Sequence, residues 1–185
     1  MSRRLAVIFP GIGYHCDKPL LYYGKKLAAQ HGYEILEVPY GNFEAGIKGN
    51  PEKMEKAFRW ALEQAEKILE PVNWEEREDL LFISKSVGTA VAAAYAEKKG
   101  LATRNIFFTP VEQTFLFVSR PGIVFHGNAD PWAETREVER GCREKSLPLY
   151  ITRGANHSME TGNVQRDLEI LRQILEQCEI YISGI

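Results

Sequence analysis

The sequence has 185 residues, a length that suits one compact domain with a substantial core and is short for two. Its formal net charge is −2 with acidic and basic residues interspersed, so it carries no basic footprint for nucleic acid. Its apolar runs have the length of strands, far below the roughly 20 residues that cross a membrane. We therefore expect residues 1–185 to form a single domain without nucleic-acid or membrane partners, and composition leaves the oligomeric state open.

The cysteines and the first apolar run predict a cytoplasmic protein. Cys16, Cys142 and Cys178 are odd in number and widely spaced, which is typical of reduced thiols rather than of a disulfide framework. The run Leu5–Phe9 follows two arginines, as in a signal peptide, but it stops at Pro10. It is therefore shorter than the apolar segment of about 7–15 residues that such a peptide needs.

Strands and helices alternate along the first half of the chain. Continuous apolar runs predict buried strands of a parallel sheet, and apolar residues at i, i+3 and i+4 predict helices. The clearest helix has Asn50 as N-cap and Pro51 as first residue. In chain order the predicted elements are strand Leu5–Phe9, helix Pro19–His31, strand Tyr33–Val38, helix Pro51–Glu70 and strand Leu80–Ile83.

The same alternation continues through the second half. Asp130 and Pro131 have the residue types of an N-cap and a first helical residue, so they predict a helix that begins at Trp132. The predicted elements are a helix to Lys99 closed by Gly100, strand Asn105–Phe108, strand Gly122–Phe125, helix Trp132–Cys142, strand Leu147–Ile151 and helix Val164–Gln177. The last residues, Glu179–Ile185, suit either a short extra strand or an ordered tail.

This alternation predicts an α/β three-layer sandwich around a mainly parallel sheet of about six strands. In such sheets ligands bind at the carboxyl ends of the strands. Four loops with polar or glycine-rich sequences each follow a strand, so we expect them to gather at one edge. They are Pro10–Tyr14, Ser84–Gly88, His126–Asp130 and Gly154–His157.

Ser86 lies where the apolar run Leu80–Ile83 gives way to the small residues of a helix. A strand, a sharp turn with a serine and a helix are the setting of the G-x-S-x-G nucleophile elbow, which lifts the hydroxyl above the sheet. Ser84 replaces the first glycine of that pattern with another small residue, and Gly88 keeps the second. Alone, the motif is also compatible with an ordinary turn and a serine N-cap.

Two other loops offer alternatives. The Pro10–Tyr14 loop could make a simple turn, cradle a phosphate or shape an oxyanion hole, although it lacks the third glycine of a dinucleotide fingerprint. His15-Cys16-Asp17 suggests a metal or a cysteine nucleophile, but no second ligand pair follows at metal spacing. We expect that segment to be loop surface near the site, and we predict no metal and no cofactor.

Asp130 and His157 supply the acid and the base that a serine nucleophile needs. Each lies three residues after a glycine in a loop that follows its own strand, in the chain order Ser, Asp, His. Glu134 and Glu160 are competing carboxylates that start or border helices. His126 is a rival histidine, but it lies next to its strand in the acid loop.

With these three loops the chain resembles the α/β-hydrolase superfamily, and in particular its small, lidless bacterial serine hydrolase and esterase-like members. The best-matching segments are ISKSVGT, FHGNADPWA and RGANHSME. The resemblance implies the strand order 2-1-3-4-5-6, without the family's usual first two strands. The stretch Thr109–Arg120 occupies the place where larger hydrolases insert a lid, so the core would lack a large one.

The resemblance also implies roles for individual residues. Ser86 would be the nucleophile, His157 the general base and Asp130 the carboxylate that orients the imidazole. The backbone N–H groups of Val87 and of Ile12 would form the oxyanion hole, with Gly13 as the alternative to Ile12.

We therefore expect a serine hydrolase that cleaves an ester-type acyl bond in a small-molecule substrate through an acyl-enzyme. Amide and thioester cleavage stay open, because pocket shape rather than the triad decides between them. The alternative is a non-catalytic protein that binds a small ligand on the same fold. A Rossmann-like cofactor protein is disfavoured by the incomplete glycine pattern.

Overall fold

A computed structural model describes residues 3–47 and 49–184 as a six-stranded sheet with helices on both faces. The strands are β1 (Arg4–Phe9), β2 (Glu34–Glu37), β3 (Asp79–Lys85), β4 (Thr103–Phe108), β5 (Gly122–Gly127) and β6 (Leu149–Thr152). The helices are α1 (Pro19–Gln30), α2 (Pro51–Leu69), α3 (Val87–Lys99), α4 (Thr114–Phe117), α5 (Thr135–Glu144) and α6 (Val164–Ser183). A single 3₁₀ turn covers Trp74–Glu76.

The sheet is parallel throughout and has the order β2-β1-β3-β4-β5-β6, which confirms the predicted fold class and strand order. The central strands β1, β3 and β4 are buried almost from end to end. Their continuous apolar runs follow from helices covering both faces of the sheet. Because all strands run the same way, the loops after β1, β3, β5 and β6 share one edge.

Alternate residues of the strands build the cores of the two faces. Ala6 and Ile8 of β1 pack under α1 and α6. Val7 and Phe9 point the other way, into a core with α2 and α3. A third cluster around Phe107 and Val124 lies under α5. These clusters make the three layers of the sandwich.

Helix α5 begins later than the sequence pattern predicts. Its N-cap is Glu134 and its first residue is Thr135, so the prediction that Asp130 caps a helix beginning at Trp132 is wrong. The Oδ1 atom of Asp130 accepts a hydrogen bond from the Trp132 N–H at 2.8 Å, which forms a local Asx-type turn rather than a helix start. The Asp130 side-chain oxygen therefore stabilises the loop rather than the start of a helix, and α5 begins after a short bend.

The C-terminal segment is also different from both expectations. Residues 179–183 continue α6 to Ser183, where Gly184 ends the helix in the left-handed conformation. Ile174, Cys178 and Ile182 repeat at i, i+4 spacing and are all buried. Because this spacing continues the helical stripe, the segment is neither a strand nor a separate tail; its last residue, Ile185, lies outside the described residues.

The stretch Thr109–Arg120 contains only the four-residue helix α4, so it forms a small shelf beside the sheet rather than a large lid. Phe117 stacks on Phe58 of α2 with ring centroids 5.4 Å apart, which ties the shelf to that helix. Of the helices in residues 3–47 and 49–184, none has the length and apolar character to cross a membrane.

Candidate active site

Ser86 occupies the sharp turn between β3 and α3. Its backbone has φ 56° and ψ −126°, a conformation that non-glycine residues rarely adopt. The Ser86 N–H donates to the Phe108 carbonyl at 3.0 Å, and its own carbonyl accepts from the Thr89 N–H at 2.9 Å. The turn is thus held from both sides in the geometry of a nucleophile elbow.

Ser84 and Gly88 show how strictly the elbow needs small residues. The Ser84 side chain is fully buried and its hydroxyl donates to the Ile106 carbonyl at 3.3 Å, so a serine is accommodated there. A Cβ at Gly88 would lie only 2.4 Å from the carbonyl oxygens of both Phe9 and Pro10. Glycine is therefore required at position 88, whereas position 84 tolerates a hydroxymethyl group.

The structure brings Ser86, His157 and Asp130 together in one line. The Nε2 atom of His157 lies 2.8 Å from the Ser86 Oγ, and its Nδ1 lies 2.7 Å from an Oδ2 of Asp130. Both distances are those of hydrogen bonds between a nucleophile, a base and an orienting carboxylate. The arrangement can pass a proton from the serine hydroxyl to the imidazole.

The acid and histidine loops are bonded directly to each other. The Asn128 side-chain oxygen accepts from the Gly154 N–H at 2.7 Å, and the Ala129 N–H donates to the Ala155 carbonyl at 2.9 Å. Thr109 also donates its hydroxyl to the His157 carbonyl at 3.2 Å. These bonds fix the separation of the carboxylate and the imidazole independently of their own contact.

Asp130 is held as a carboxylate. Its side chain is fully buried, which by itself would raise its pKa, but the hydrogen bond and charge of His157 and the Trp132 N–H outweigh burial and lower the pKa below its usual range. His126 lies behind it, with its Nδ1 3.9 Å from the carboxylate. Burial lowers the pKa of His126, against the opposing effect of the Asp130 charge.

The rival residues do not reach Ser86. His126 is fully buried and places its Nε2 at 3.1 Å from the Thr135 hydroxyl. Glu134 occupies the N-cap position of α5 without a side-chain capping bond, and the Ser86 Oγ has its hydrogen bond with His157 rather than with Glu134 or Glu160. These positions agree with the order of roles in which His157 rather than His126 faces the serine.

The His15-Cys16-Asp17 segment is only partly surface. Cys16 is buried, and burial together with Glu37 raises the pKa of its thiol to about 12. A thiol with so high a pKa is a poor nucleophile near neutral pH. Within residues 3–47 and 49–184, no group of three His, Cys, Asp or Glu side chains could hold a metal ion.

The first loop leaves N–H groups free beside Ser86. The N–H groups of Gly11 and Tyr14 are used, since each donates to the carbonyl of the other at 3.0 and 3.1 Å. The N–H groups of Ile12 and Gly13 have no such partner among the described residues. Val87 is the first residue of α3, so its N–H has no acceptor within the helix. Ile12, Gly13 and Val87 all border the cavity at Ser86.

That cavity, of about 400 Å³, also contains residues that sequence reasoning did not single out. Ile47 and Met54 form one wall, and Trp132 forms another. The Trp132 ring lies 5.8 Å from the His157 ring. No motif marks Ile47 or Met54, because a site wall needs only apolar surface, which any core residue offers.

Lys85 is the most unexpected neighbour of the site. It directly precedes Ser86, is fully buried, and its Nζ has no hydrogen-bond partner among the described residues. The Nζ instead lies 4.8 Å from the centre of the Tyr14 ring. Burial lowers the pKa of Lys85 to about 7, although the Asp130 charge acts in the opposite direction.

Comparison with known proteins identifies the fold. No model of a known protein family matches the sequence, and no curated protein matches it either. Solved structures do match, and those described below comprise two that are described as α/β-hydrolases and one that is described as an esterase. The chain therefore has the α/β-hydrolase fold, in the small form without a large lid.

Three of these structures illustrate the similarity. A protein of unknown function from Agrobacterium tumefaciens, assigned to the α/β-hydrolases, has a TM-score of 0.67 and 14% identity over 100% of this chain and 88% of its own. A lidless α/β serine hydrolase from Xanthomonas campestris has a TM-score of 0.60 and 13% identity, covering 96% of this chain and 83% of its own. The esterase Pf2001 from Pyrococcus furiosus has a TM-score of 0.62 and 13% identity, covering 95% and 83%.

Proposed function

We propose that the protein is a serine hydrolase that cleaves an ester-type acyl bond through an acyl-enzyme on Ser86. The observation that carries this proposal is the continuous chain of hydrogen bonds from Ser86 through His157 to the buried Asp130, built on a strained elbow. A ligand-binding protein has no need for a serine hydroxyl aligned with both a base and an oriented carboxylate.

The proposed reaction begins at the serine hydroxyl. As the Ser86 Oγ attacks the substrate carbonyl carbon, His157 Nε2 takes its proton and becomes an imidazolium. Asp130 holds the imidazole in position and stabilises its positive charge. The carbonyl oxygen becomes an oxyanion, which the N–H groups of Val87 and of Ile12 or Gly13 would stabilise.

The intermediate then collapses and is hydrolysed. The imidazolium of His157 donates its proton to the leaving alkoxide, so an alcohol departs and the acyl group stays on Ser86. Water attacks the acyl-enzyme while His157 takes one of its protons. The second collapse releases the carboxylic acid and returns the proton to Ser86.

One further observation supports the assignment. Among the similar structures, one is described as a lidless serine hydrolase and one as an esterase. For the location we propose the cytoplasm, because Cys16, Cys142 and Cys178 are all buried and form no disulfide. We infer a small-molecule acyl substrate, with an ester preferred over an amide or thioester.

A fluorophosphonate probe, which modifies activated serines, tests the proposal. We expect labelling at Ser86 that is lost in Ser86→Ala and falls sharply in His157→Ala. In Asp130→Asn we expect hydrolysis of p-nitrophenyl acetate to fall by about 10⁴-fold, because the imidazole loses its orienting carboxylate. Mass spectrometry of the adduct and circular dichroism of each variant are the measurements.

The matched control is Ser119→Ala, which removes an exposed serine far along the chain from the elbow. This variant should label and hydrolyse like the parent protein. A well-folded parent protein that neither labels nor hydrolyses simple esters would contradict the proposal and favour the non-catalytic ligand-binding alternative.

A further inference from the structure

A second apolar cavity, of about 440 Å³, adjoins the one at Ser86. We call it the α2–α4 groove, since Met54 and Phe58 of α2 and Leu116 and Phe117 of α4 form its sides, with Ala90 of α3 between them. Met54 and Val87 border both cavities. The groove therefore opens directly beside the nucleophile, next to the proposed oxyanion donor.

The side of Ser86 on which the groove lies decides whether the acyl chain or the leaving alcohol of an ester substrate can enter it. The leaving alcohol must receive a proton from His157 Nε2, so it has to lie on the histidine side of the serine. That side is bordered by Trp132, Asn156 and Ser158. The described lining of the α2–α4 groove includes no residue of the acid or histidine loops, and it begins at Val87. The substituent that enters it is therefore the acyl chain.

The charges around the groove suit a neutral chain. Its two charged residues, Glu55 and Arg59, form an ion pair with each other on the outer surface of α2. The remaining polar side chain among its described lining is Gln113. No unpaired charge in this lining could hold a charged end group, so an aliphatic chain fits it better than an acidic or basic one.

The exposure of Leu116 points the same way. Its side chain is 76% exposed, the highest value among the exposed large hydrophobic residues, although it lies on the rim of an apolar groove. A bound aliphatic chain would cover part of that surface and remove it from water. Along α2 the groove runs from Pro51 to Arg59, which corresponds to about 12 Å of helix.

We propose that the α2–α4 groove binds the aliphatic acyl chain of the substrate, so that the protein prefers medium-chain acyl esters to acetate. This inference rests on the proposed serine hydrolase function and adds the class of acyl group. The groove supplies affinity in proportion to the apolar surface it buries, and the short shelf at α4 leaves its outer side open to the entering chain.

The test is a series of p-nitrophenyl esters from acetate through butyrate and hexanoate to octanoate. We expect kcat/KM to rise by about three- to fourfold for each added methylene until the groove is filled, because each buried methylene contributes a similar increment of binding free energy. A profile that is flat or falls from acetate onward, in protein that hydrolyses acetate, would overturn the inference.

The decisive variant is Leu116→Glu, which places a charge on the rim at an exposed position where folding is little affected. We expect the ratio of kcat/KM for octanoate to that for acetate to fall by about tenfold or more. The matched control is Leu168→Glu on α6, where the leucine is 57% exposed and remote from the groove. Its ratio should equal that of the parent protein, and equal losses in both variants would contradict the groove.

Two further outcomes separate this inference from the function on which it rests. Labelling of Ser86 by the fluorophosphonate with no chain-length preference would leave the hydrolase proposal standing and reject the groove. Absence of labelling would reject both. A second series with a constant butyryl group and a lengthening alcohol should show little gain, and a gain that Leu116→Glu abolishes would assign the groove to the alcohol and overturn the proposal.

Discussion

Lys85 places an ionisable group in the interior without a hydrogen-bonding partner among the described residues. Burial lowers its pKa from 10.5 to about 7, while Asp130 limits the shift. The neighbouring Tyr14 stays a neutral phenol, because burial raises its pKa to about 12. Between pH 7 and 10.5 the unfolded chain therefore binds a proton on Lys85 that the folded chain does not.

The contribution of Lys85 to the free energy of unfolding therefore rises with pH across that range, since the state that binds more protons is favoured as pH falls. Comparing Lys85→Met with the parent protein isolates this contribution, because all other titrating groups are shared. We expect Lys85→Met to be more stable than the parent protein near pH 7, by up to about 4 kcal/mol. The advantage should shrink by about 1.4 kcal/mol per pH unit as the pH rises towards 10.5. Near that pH the lysine of the unfolded chain also loses its proton, so the folded and unfolded states no longer differ in charge at Lys85. Urea unfolding at several pH values measures it.

The same substitution at the exposed Lys56 is the control for the loss of a lysine side chain from the surface. If the difference between Lys85→Met and the parent protein were constant from pH 7 to pH 9, Lys85 would not titrate as its burial requires.

At the level of elements, the first turn of α3 packs directly on the backbone that leaves β1. Gly88 makes this contact possible, and the Tyr40 hydroxyl donates to the Pro10 carbonyl at the same point. The loop that carries Ile12 and the helix that carries Val87 are thus in contact through their main chains. Both proposed oxyanion donors lie beside this contact, so a change in it would alter their separation.

Gly88→Ala should therefore damage both stability and reactivity. A methyl group 2.4 Å from two carbonyl oxygens forces the helix and the loop apart. We expect a loss of about 3 kcal/mol or more in the free energy of unfolding. The labelling rate of Ser86 should also fall in the fraction that remains folded. Urea unfolding and the labelling time course measure the two effects.

Gly41→Ala provides the comparison, because a Cβ at Gly41 would meet nothing within 4 Å. It should unfold and label like the parent protein. Equal behaviour of Gly88→Ala and Gly41→Ala would show that α3 can move away from β1 without cost.

The sequence predicts the strands and helices well because a parallel sheet makes its strands uniformly apolar and places the loops that follow them at one edge. The strand order is implied by the resemblance to the α/β-hydrolases and not by the apolar pattern. The prediction from sequence fails where one residue type suits two different structural roles. Asp130 looks like a helix cap, but its oxygens are used by Trp132 and His157. Lys85 gives no signal at all, because only the packed fold shows that its side chain points inward.

At the scale of the whole molecule, the three cysteines are distributed over both faces of the sheet. Cys16 and Cys178 belong to the core under α1 and α6, and Cys142 belongs to the core under α5. Burial raises the pKa of Cys142 to about 12 and that of Cys178 further. None of the three is accessible or ionised near neutral pH in the folded protein.

We expect a thiol reagent such as Ellman's reagent to modify none of them rapidly in the native protein and all three after unfolding. If both faces of the sheet unfold in a single cooperative step, Cys142 and Cys178 become exposed together. They should then react at the same rate in variants that keep one cysteine each. Faster reaction of Cys142 would show that the α5 face opens by itself.

The order of the strands also decides when the molecule becomes competent during its synthesis. Ser86 and the Pro10–Tyr14 loop are made early and lie at the centre of the sheet, whereas His157 follows the last strand at its edge. Chains generally fold as they emerge, from the N-terminus onward. A nascent chain can therefore complete its elbow while it still lacks the imidazole. Helix α6 is synthesised after His157. Arg104 of β4 holds the C-terminal end of this helix, because its guanidinium donates a hydrogen bond to the Tyr181 carbonyl at 2.8 Å. Under the proposed roles, a ribosome-bound chain in which His157 has not yet emerged has the nucleophile without its base, so we expect hydrolytic activity to appear only after His157 has left the ribosome.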